Sequence, residues 1–137
     1  MAEETKYALE VENLTVEYQV DDEIVHALNG VSFKLMDGET IGLVGETGAG
    51  KTTTGLSILR LIPSPPGRVS GTVKIHGQDI GQLSEKQMEA IRGNSVSMIF
   101  QDPMTSLNPT KTVEDQIDYR MKPFGIMRRR VELFNRK

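Results

Sequence analysis

Residues 45–52 read Gly-Glu-Thr-Gly-Ala-Gly-Lys-Thr, and nothing else in the 137-residue chain limits its fold as strongly. Two glycines separated by four residues, then Lys and a hydroxyl residue, form the P-loop pattern. Before it, Thr40-Ile41-Gly42-Leu43-Val44 is a short apolar run suited to a buried parallel strand. After it, Leu56, Ile58, Leu59, Leu61 and Ile62 fall at spacings that predict a largely buried helix over 53–62. A strand that feeds a tight loop and then a helix puts the loop's N–H groups at the positive end of the helix dipole, facing an anion. Gly45, Gly48 and Gly50 permit positive φ and let the backbone close on a phosphate with no Cβ in the way. Lys51 is spaced to reach β- and γ-phosphates, and the Thr52 hydroxyl to meet Mg²⁺. A glycine-rich turn can join any strand to any helix, but the two flanks favour the phosphate reading. The stretch implies a nucleoside triphosphate site.

The length suits one domain, with 37% hydrophobic and 26% charged residues, as in ordinary water-exposed proteins. No apolar run approaches the roughly 18 residues of a membrane span. The acidic start Met1-Ala2-Glu3-Glu4 does not resemble a secretory leader. The sequence has no cysteine, which excludes disulfides and thiolate metal sites and fits a cytosolic setting. The net charge of −3 conceals an asymmetry: acids crowd residues 1–23, and Arg120, Lys122, Arg128, Arg129, Arg130, Arg136 and Lys137 crowd the other end. With only Phe134 interleaved, the basic tail offers no stacking platform. A solvated helix face or frayed end is the better reading, and no nucleic-acid partner is expected.

Alternation at Leu9/Val11 and then Leu14/Val16/Tyr18 predicts a half-buried strand with a bulge or bend at Asn13. Asp21-Asp22 marks a turn. Ile24, His26 and Leu28 alternate again, Asn29-Gly30 signals another turn, and Val31, Phe33 and Leu35 make a further strand closed by Met36-Asp37-Gly38-Glu39. The first forty residues therefore predict an antiparallel β layer with acids on its wet face. Pro63-Ser64-Pro65-Pro66-Gly67 stops the first helix, and Val69 to Ile75 returns as a strand to that layer. Ser84-Glu85-Lys86-Gln87 is a capping box for a short helix to about Arg92, ended by Gly93-Asn94. Val96 to Phe100 reads as a second buried strand, and residues 112–121 as a helix interrupted at Lys122-Pro123. The seven methionines read as core filler, and His26 and His76 as surface histidines.

Three separated stretches resemble the ATP-binding subunit of ATP-binding-cassette (ABC) transporters. They are Asn13 to Tyr18 with Ala27 to Phe33, Gly38-Glu39-Thr40 running into the P-loop, and Phe100-Gln101-Asp102-Pro103-Met104-Thr105-Ser106-Leu107-Asn108-Pro109. The last has the wording of the oligopeptide, dipeptide and nickel importer branch. The resemblance covers roughly residues 8–120 and implies an α/β P-loop NTPase fold: an antiparallel β layer plus part of a parallel sheet with helices. It places the β layer and first core strand at 8–44, the P-loop and its helix at 45–62, and a β return, short helix and core strand at 69–100. The Q-loop then falls at 101–110, and the start of a helical subdomain with a divergent tail at 111–137.

The resemblance also implies roles. Gly45, Glu46, Thr47, Gly48, Ala49, Gly50, Lys51, Thr52 and Thr53 would bind the phosphates of ATP, with Mg²⁺ on Thr52 and Gln101. Gln101 matches the Q-loop glutamine, which approaches Mg²⁺ and the attacking water; its oxygen can orient water but is too weakly basic to deprotonate it. Solvent capping of a strand end is the plainer role for that residue. Tyr18 matches the aromatic that stacks on adenine, against the alternative of a strand tyrosine packed on the core. Implied partners are a second ATP-binding subunit, transmembrane permease subunits and, indirectly, an extracytoplasmic solute-binding protein, on the inner face of the cell membrane.

The family's Leu-Ser-Gly-Gly-Gln signature, its Asp-Glu-ended Walker B strand and its switch histidine do not occur in these residues. The chain thus resembles the N-terminal half of such a subunit, from a shortened reading frame or a deliberately shortened chain, and marginal stability is expected of it alone. Three functions compete: ATP binding that energises a peptide-class importer, a non-hydrolysing regulatory fragment that pairs with full-length subunits, and a small P-loop kinase. The kinase reading takes Val96–Phe100 as its Walker B strand and Asp102 as its Mg²⁺ ligand; Gln101 and Pro103 around that acid speak against it.

Overall fold

The structure, a computed structural model, describes residues 7–102 and 107–121. The chain divides into two units, Met1–Ser97 and Met98–Lys137.

The first unit is built on strands β1 (Tyr7–Val20), β2 (Glu23–Met36), β3 (Gly67–Ile75) and β4 (Gln78–Asp79), antiparallel in the order β2-β1-β3-β4. Val11, Leu14 and Val16 of β1 point to one face with Leu28 of β2 and Val73 and Ile75 of β3, and all six are buried. The predicted bulge is present. Glu12 and Asn13 together face Ser32, Asn13 takes φ 50°, and its N–H donates to Ser32 Oγ at 2.8 Å. Asn tolerates this left-handed conformation better than most residues.

Asn29-Gly30, predicted as a turn between two strands, lies instead inside the single long strand β2. Those two residues oppose Thr15 alone, a second bulge in which Gly30 takes φ 67° and its N–H donates to Thr15 Oγ1 at 3.1 Å. A bulge on each strand restores the register, so the apolar set stays on one face. The dipeptide supplies a positive φ, which a bulge uses as readily as a hairpin.

Helix α1 (Lys51–Ile58), a 3₁₀ turn (Ile80–Gln82) and helix α2 (Glu85–Ile91) complete the unit. Ile80 and the fully buried Met88 pack into the core formed by the sheet's apolar face. Burying each such side chain contributes about 1.5–3 kcal/mol. Met88 fits the core-filler reading, whereas Met36 is exposed. The capping box opens α2 as expected: Ser84 Oγ accepts from Gln87 N–H, and Gln87 Oε1 accepts from Ser84 N–H at 2.9 Å.

The parallel strands predicted at 40–44 and 96–100 are not formed. Residues 39–46 and 97–100 carry no strand pairing, and Val44 and Ile99 are 98% and 93% exposed. Parallel contact among the described residues is a lone bridge between Arg92 and Val96. A parallel strand needs neighbours in the sheet and helices on both faces. Among the described residues, 40–44 has no such neighbour, and its apolar residues stay in water.

In the second unit, helix α3 (Val113–Met121) matches the predicted span. Thr112 Oγ1 accepts from Asp115 N–H at 3.1 Å at its start. Residues 103–106 of the importer-like stretch and the basic tail from Lys122 lie outside the described residues. No helix among the described residues is long and apolar enough to cross a membrane.

Candidate functional site

Gly50 is the N-cap of helix α1, with φ 80° and ψ 5°, and no side chain caps the helix. The first N–H groups of a helix have no intrahelical acceptor, so here they remain donors at the positive end of the dipole. Thr54 turns inward: its N–H and Oγ1 both donate to the Gly50 carbonyl, at 2.8 and 2.9 Å. The helix thus starts two residues earlier than predicted and stops four earlier. Its buried face carries the hydroxyls of Thr54 and Ser57, while Leu56 and Ile58 are only half-buried and Leu61 is exposed.

Lys51 reaches back across the loop, and its Nζ donates to the carbonyl oxygens of Gly45 and Glu46, both at 2.6 Å. An ammonium has three donors, so one remains to point at an anion held by the loop. The Ala49 N–H closes a turn on the Glu46 carbonyl at 3.1 Å. Gly48 and Gly50 adopt positive φ as expected, and Gly45 does not. Gly45 is instead required by space, because a Cβ there would stand 2.9 Å from Ala49 Cβ. The loop from Gly45 to Ala49 is exposed, as is Thr52, while Gly50, Lys51 and Thr53 are half-buried. This cradle of main-chain donors with one ammonium fits a phosphate group, and the exposed Thr52 hydroxyl beside it suits a hard cation.

Tyr18 sits on β1 opposite Val25 of β2 and Gly67 of β3. It is half-buried and packs against the core, so part of the ring does the work of a strand tyrosine and part stays accessible. Gln101 is exposed and belongs to the second unit. The kinase reading loses its premise, since residues 97–100 are not a buried strand. His26 and His76 are exposed, as expected, with Nδ1 at 3.2 Å from Glu17 and 3.6 Å from Asp37. No group of three or more His, Cys, Asp or Glu among the described residues is placed to hold a metal ion.

The sequence reading missed the far end of α1. Arg60 follows the helix with φ 50°, its N–H donates to the Ser57 carbonyl, and the Leu61 N–H donates to the Leu56 carbonyl at 2.8 Å. This is a Schellman ending, with arginine where glycine is usual. The Arg92 guanidinium takes two carbonyls further on, Nε to Leu59 at 2.8 Å and Nη2 to Arg60 at 3.0 Å, while its Nη1 pairs with Glu85. With no glycine at residues 59–61 and Arg92 far along the chain, the sequence carried no local signal for this ending.

Residues 28–137 match the family described as "ABC transporter". The oligopeptide transport ATP-binding protein OppD of Bacillus subtilis is 48% identical over 110 residues, which cover 80% of this chain and 31% of that protein. The dipeptide transport ATP-binding protein DppD of the same organism is also 48% identical over 110 residues, covering 80% of this chain and 33% of its own length. This chain therefore spans about a third of the length of each of these two curated relatives. A bacterial ABC transporter cassette solved as a dimer superposes with a TM-score of 0.70 at 23% identity, covering 83% of this chain and 47% of that one. The same cassette in a post-hydrolysis state with ADP and Pi gives 0.67 at 22% identity. The fold is thus that of part of an ABC cassette, and the chain belongs to the ABC transporter family as a portion of an ATP-binding domain.

Proposed function

We propose that this chain binds ATP with Mg²⁺ at residues 45–53, as the nucleotide-gripping part of a subunit that energises a peptide-class importer. The observation that carries this reading is the uncapped start of α1 at Gly50, across which Lys51 is anchored on the Gly45 and Glu46 carbonyls. Main-chain N–H groups of the loop and first turn would donate to β- and γ-phosphate oxygens, Lys51 would add a charge-assisted bond, and the Thr52 hydroxyl would meet Mg²⁺. Tyr18 would supply a ring face to the base. Gln101 would orient water and share the cation. The names of OppD and DppD support the peptide class.

Phosphoryl transfer depends on positioning and charge neutralisation, so each missing donor is costly. Family members draw the signature, the Walker B acids and the switch histidine from sequence that these 137 residues do not include. These residues alone are therefore expected to hold MgATP and turn it over slowly at most. A second ATP-binding subunit would close over the nucleotide, and permease subunits would place the assembly on the inner face of the membrane. A non-hydrolysing regulatory role, through pairing with full-length subunits, uses the same binding site. Titration with a fluorescent ATP analogue in Mg²⁺ is expected to saturate, and Lys51→Ala to abolish the signal. Failure of the well-folded chain to saturate would overturn the reading, and measurable ATPase activity lost in Lys51→Ala would exclude the purely regulatory role.

A further inference from the structure

Helix α1 is eight residues long and contains three threonines and Gly55, all weak helix formers. A helix of that length has little stability of its own, because isolated helices below about 12–15 residues are marginal in water. Its hold therefore comes from tertiary ties, and the polar ones gather at the carbonyl end. Arg92 bonds the carbonyls of Leu59 and Arg60. Arg60 in turn donates through Nη1 to the carbonyls of Ile80 at 3.0 Å and Leu83 at 2.7 Å. Glu85 pairs with Arg92 and lies 3.9 Å from Arg60 Nη2, so one carboxylate holds both guanidiniums. The result is a clamp that ties the end of α1 to the 3₁₀ turn and to α2. Two positive charges at the carbonyl end also complement the helix dipole whose opposite end faces the loop.

We propose that Arg92 is a positioning residue for the phosphate loop: by fixing the carbonyl end of α1 it keeps the amide donors of the first turn aligned, and so sets how tightly the loop grips nucleotide. The proposal rests on the reading of residues 45–53 as a nucleotide site. Arg92 cannot touch the nucleotide itself, since Thr52 and Leu59 are seven residues apart, about 10 Å along a helix. It acts through the helix. Lysine cannot replace it fully, because one ammonium lacks the planar fork that serves two carbonyls and a carboxylate together.

The test compares wild type, Arg92→Met, Arg92→Lys and Lys51→Ala in two measurements. The first is titration with a fluorescent ATP analogue in Mg²⁺. The second is amide hydrogen exchange, resolved between α1 and strands β1–β3. Arg92→Met is expected to weaken binding about ten-fold, with α1 protection lowered and strand protection unchanged. Arg92→Lys is expected to recover part of both. Unchanged affinity in Arg92→Met, or protection lost equally in the strands, would overturn the proposal. If wild type and Lys51→Ala alike fail to bind, the nucleotide reading falls. In that event the exchange data still judge the clamp, because equal α1 protection in Arg92→Met and wild type would overturn it as well.

Discussion

Gly50 lies so close to Leu28 that a Cβ on the glycine would stand 2.5 Å from Leu28 Cδ2, and 2.7 Å from the carbonyl oxygen of Ala27. The contact joins the β layer to the phosphate loop at the N-cap of α1. It also explains why the paired bulges matter. They return β2 to register at Leu28, which pairs with Val16 and faces inward; Ala27 beside it is the unpaired residue of a further register shift, and the loop closes against that backbone.

Replacing Gly50 by Ala is expected to cost about 2–4 kcal/mol, the sum of a positive φ of 80° and an overpacked contact with backbone that cannot yield. Gly48→Ala supplies the contrast. Gly48 also has a positive φ, 86°, but nothing lies within 4 Å of its would-be Cβ, so the cost should be about 1 kcal/mol. Urea unfolding of both variants separates the terms. Equal losses would show that the contact with Leu28 carries no weight.

The difference between those glycines marks where the sequence was legible. The spacing Gly45, Gly50, Lys51, Thr52 reads as a phosphate-loop pattern because each residue's place in that pattern is local. The antiparallel strands were also readable, since alternation at Leu14/Val16 and Val73/Ile75 needs only period two. What sequence could not supply was non-local. An apolar run such as 40–44 states a preference for burial and does not say whether neighbours are at hand. Asn29-Gly30 asks for a positive φ and does not choose between hairpin and bulge. The Arg60–Arg92 clamp joins residues 32 apart, beyond any periodicity.

Ser84 supplies the N-cap of α2, and removing its hydroxyl tests that cap. Ser84→Ala should cost about 1 kcal/mol, because the Gln87 N–H loses its acceptor and Gln87 Oε1 keeps only the backbone donor. Ser84→Asp should be close to neutral, since its carboxylate can accept the same bond. The urea midpoint is the readout, with the slope expected to stay constant.

Lys34 Nζ donates to Glu10 Oε2 at 2.9 Å across β1 and β2. That hydrogen bond holds the Glu10 carboxyl below its ordinary 4.5, and in return raises the Lys34 ammonium above 10.5. A carboxyl lowered by folding adds stability that is fully present above its unfolded value and is lost as pH falls through the folded one. The raised ammonium contributes below 10.5 and loses its share as pH rises through the folded value. Glu10→Gln keeps an acceptor oxygen without the charge. Its melting temperature should lie slightly below wild type at pH 7, and the two should converge as pH drops below 4.5. The effect should also shrink with added salt, as for any exposed pair. A constant gap from pH 7 to pH 3 would assign the loss to packing.

Among the described residues, Val44 and Met88 stand at opposite ends of apolar placement, 98% exposed and fully buried. Met88→Ala removes side-chain volume from the packed centre beneath the sheet and should cost about 2–5 kcal/mol, depending on how far the core closes. Val44→Lys takes a valine out of water, so it should change stability by no more than about 0.5 kcal/mol. Its effect should appear in association instead. Ile41, Leu43 and Val44 are all exposed on an unpaired stretch, an arrangement that favours self-contact between chains. A lysine in that stretch adds charge and removes an apolar contact, so light scattering at high protein concentration should fall while the melting temperature holds. If Val44→Lys instead unfolds the chain as severely as Met88→Ala, residues 40–44 are buried in solution and pair as the parallel strand that their composition favours.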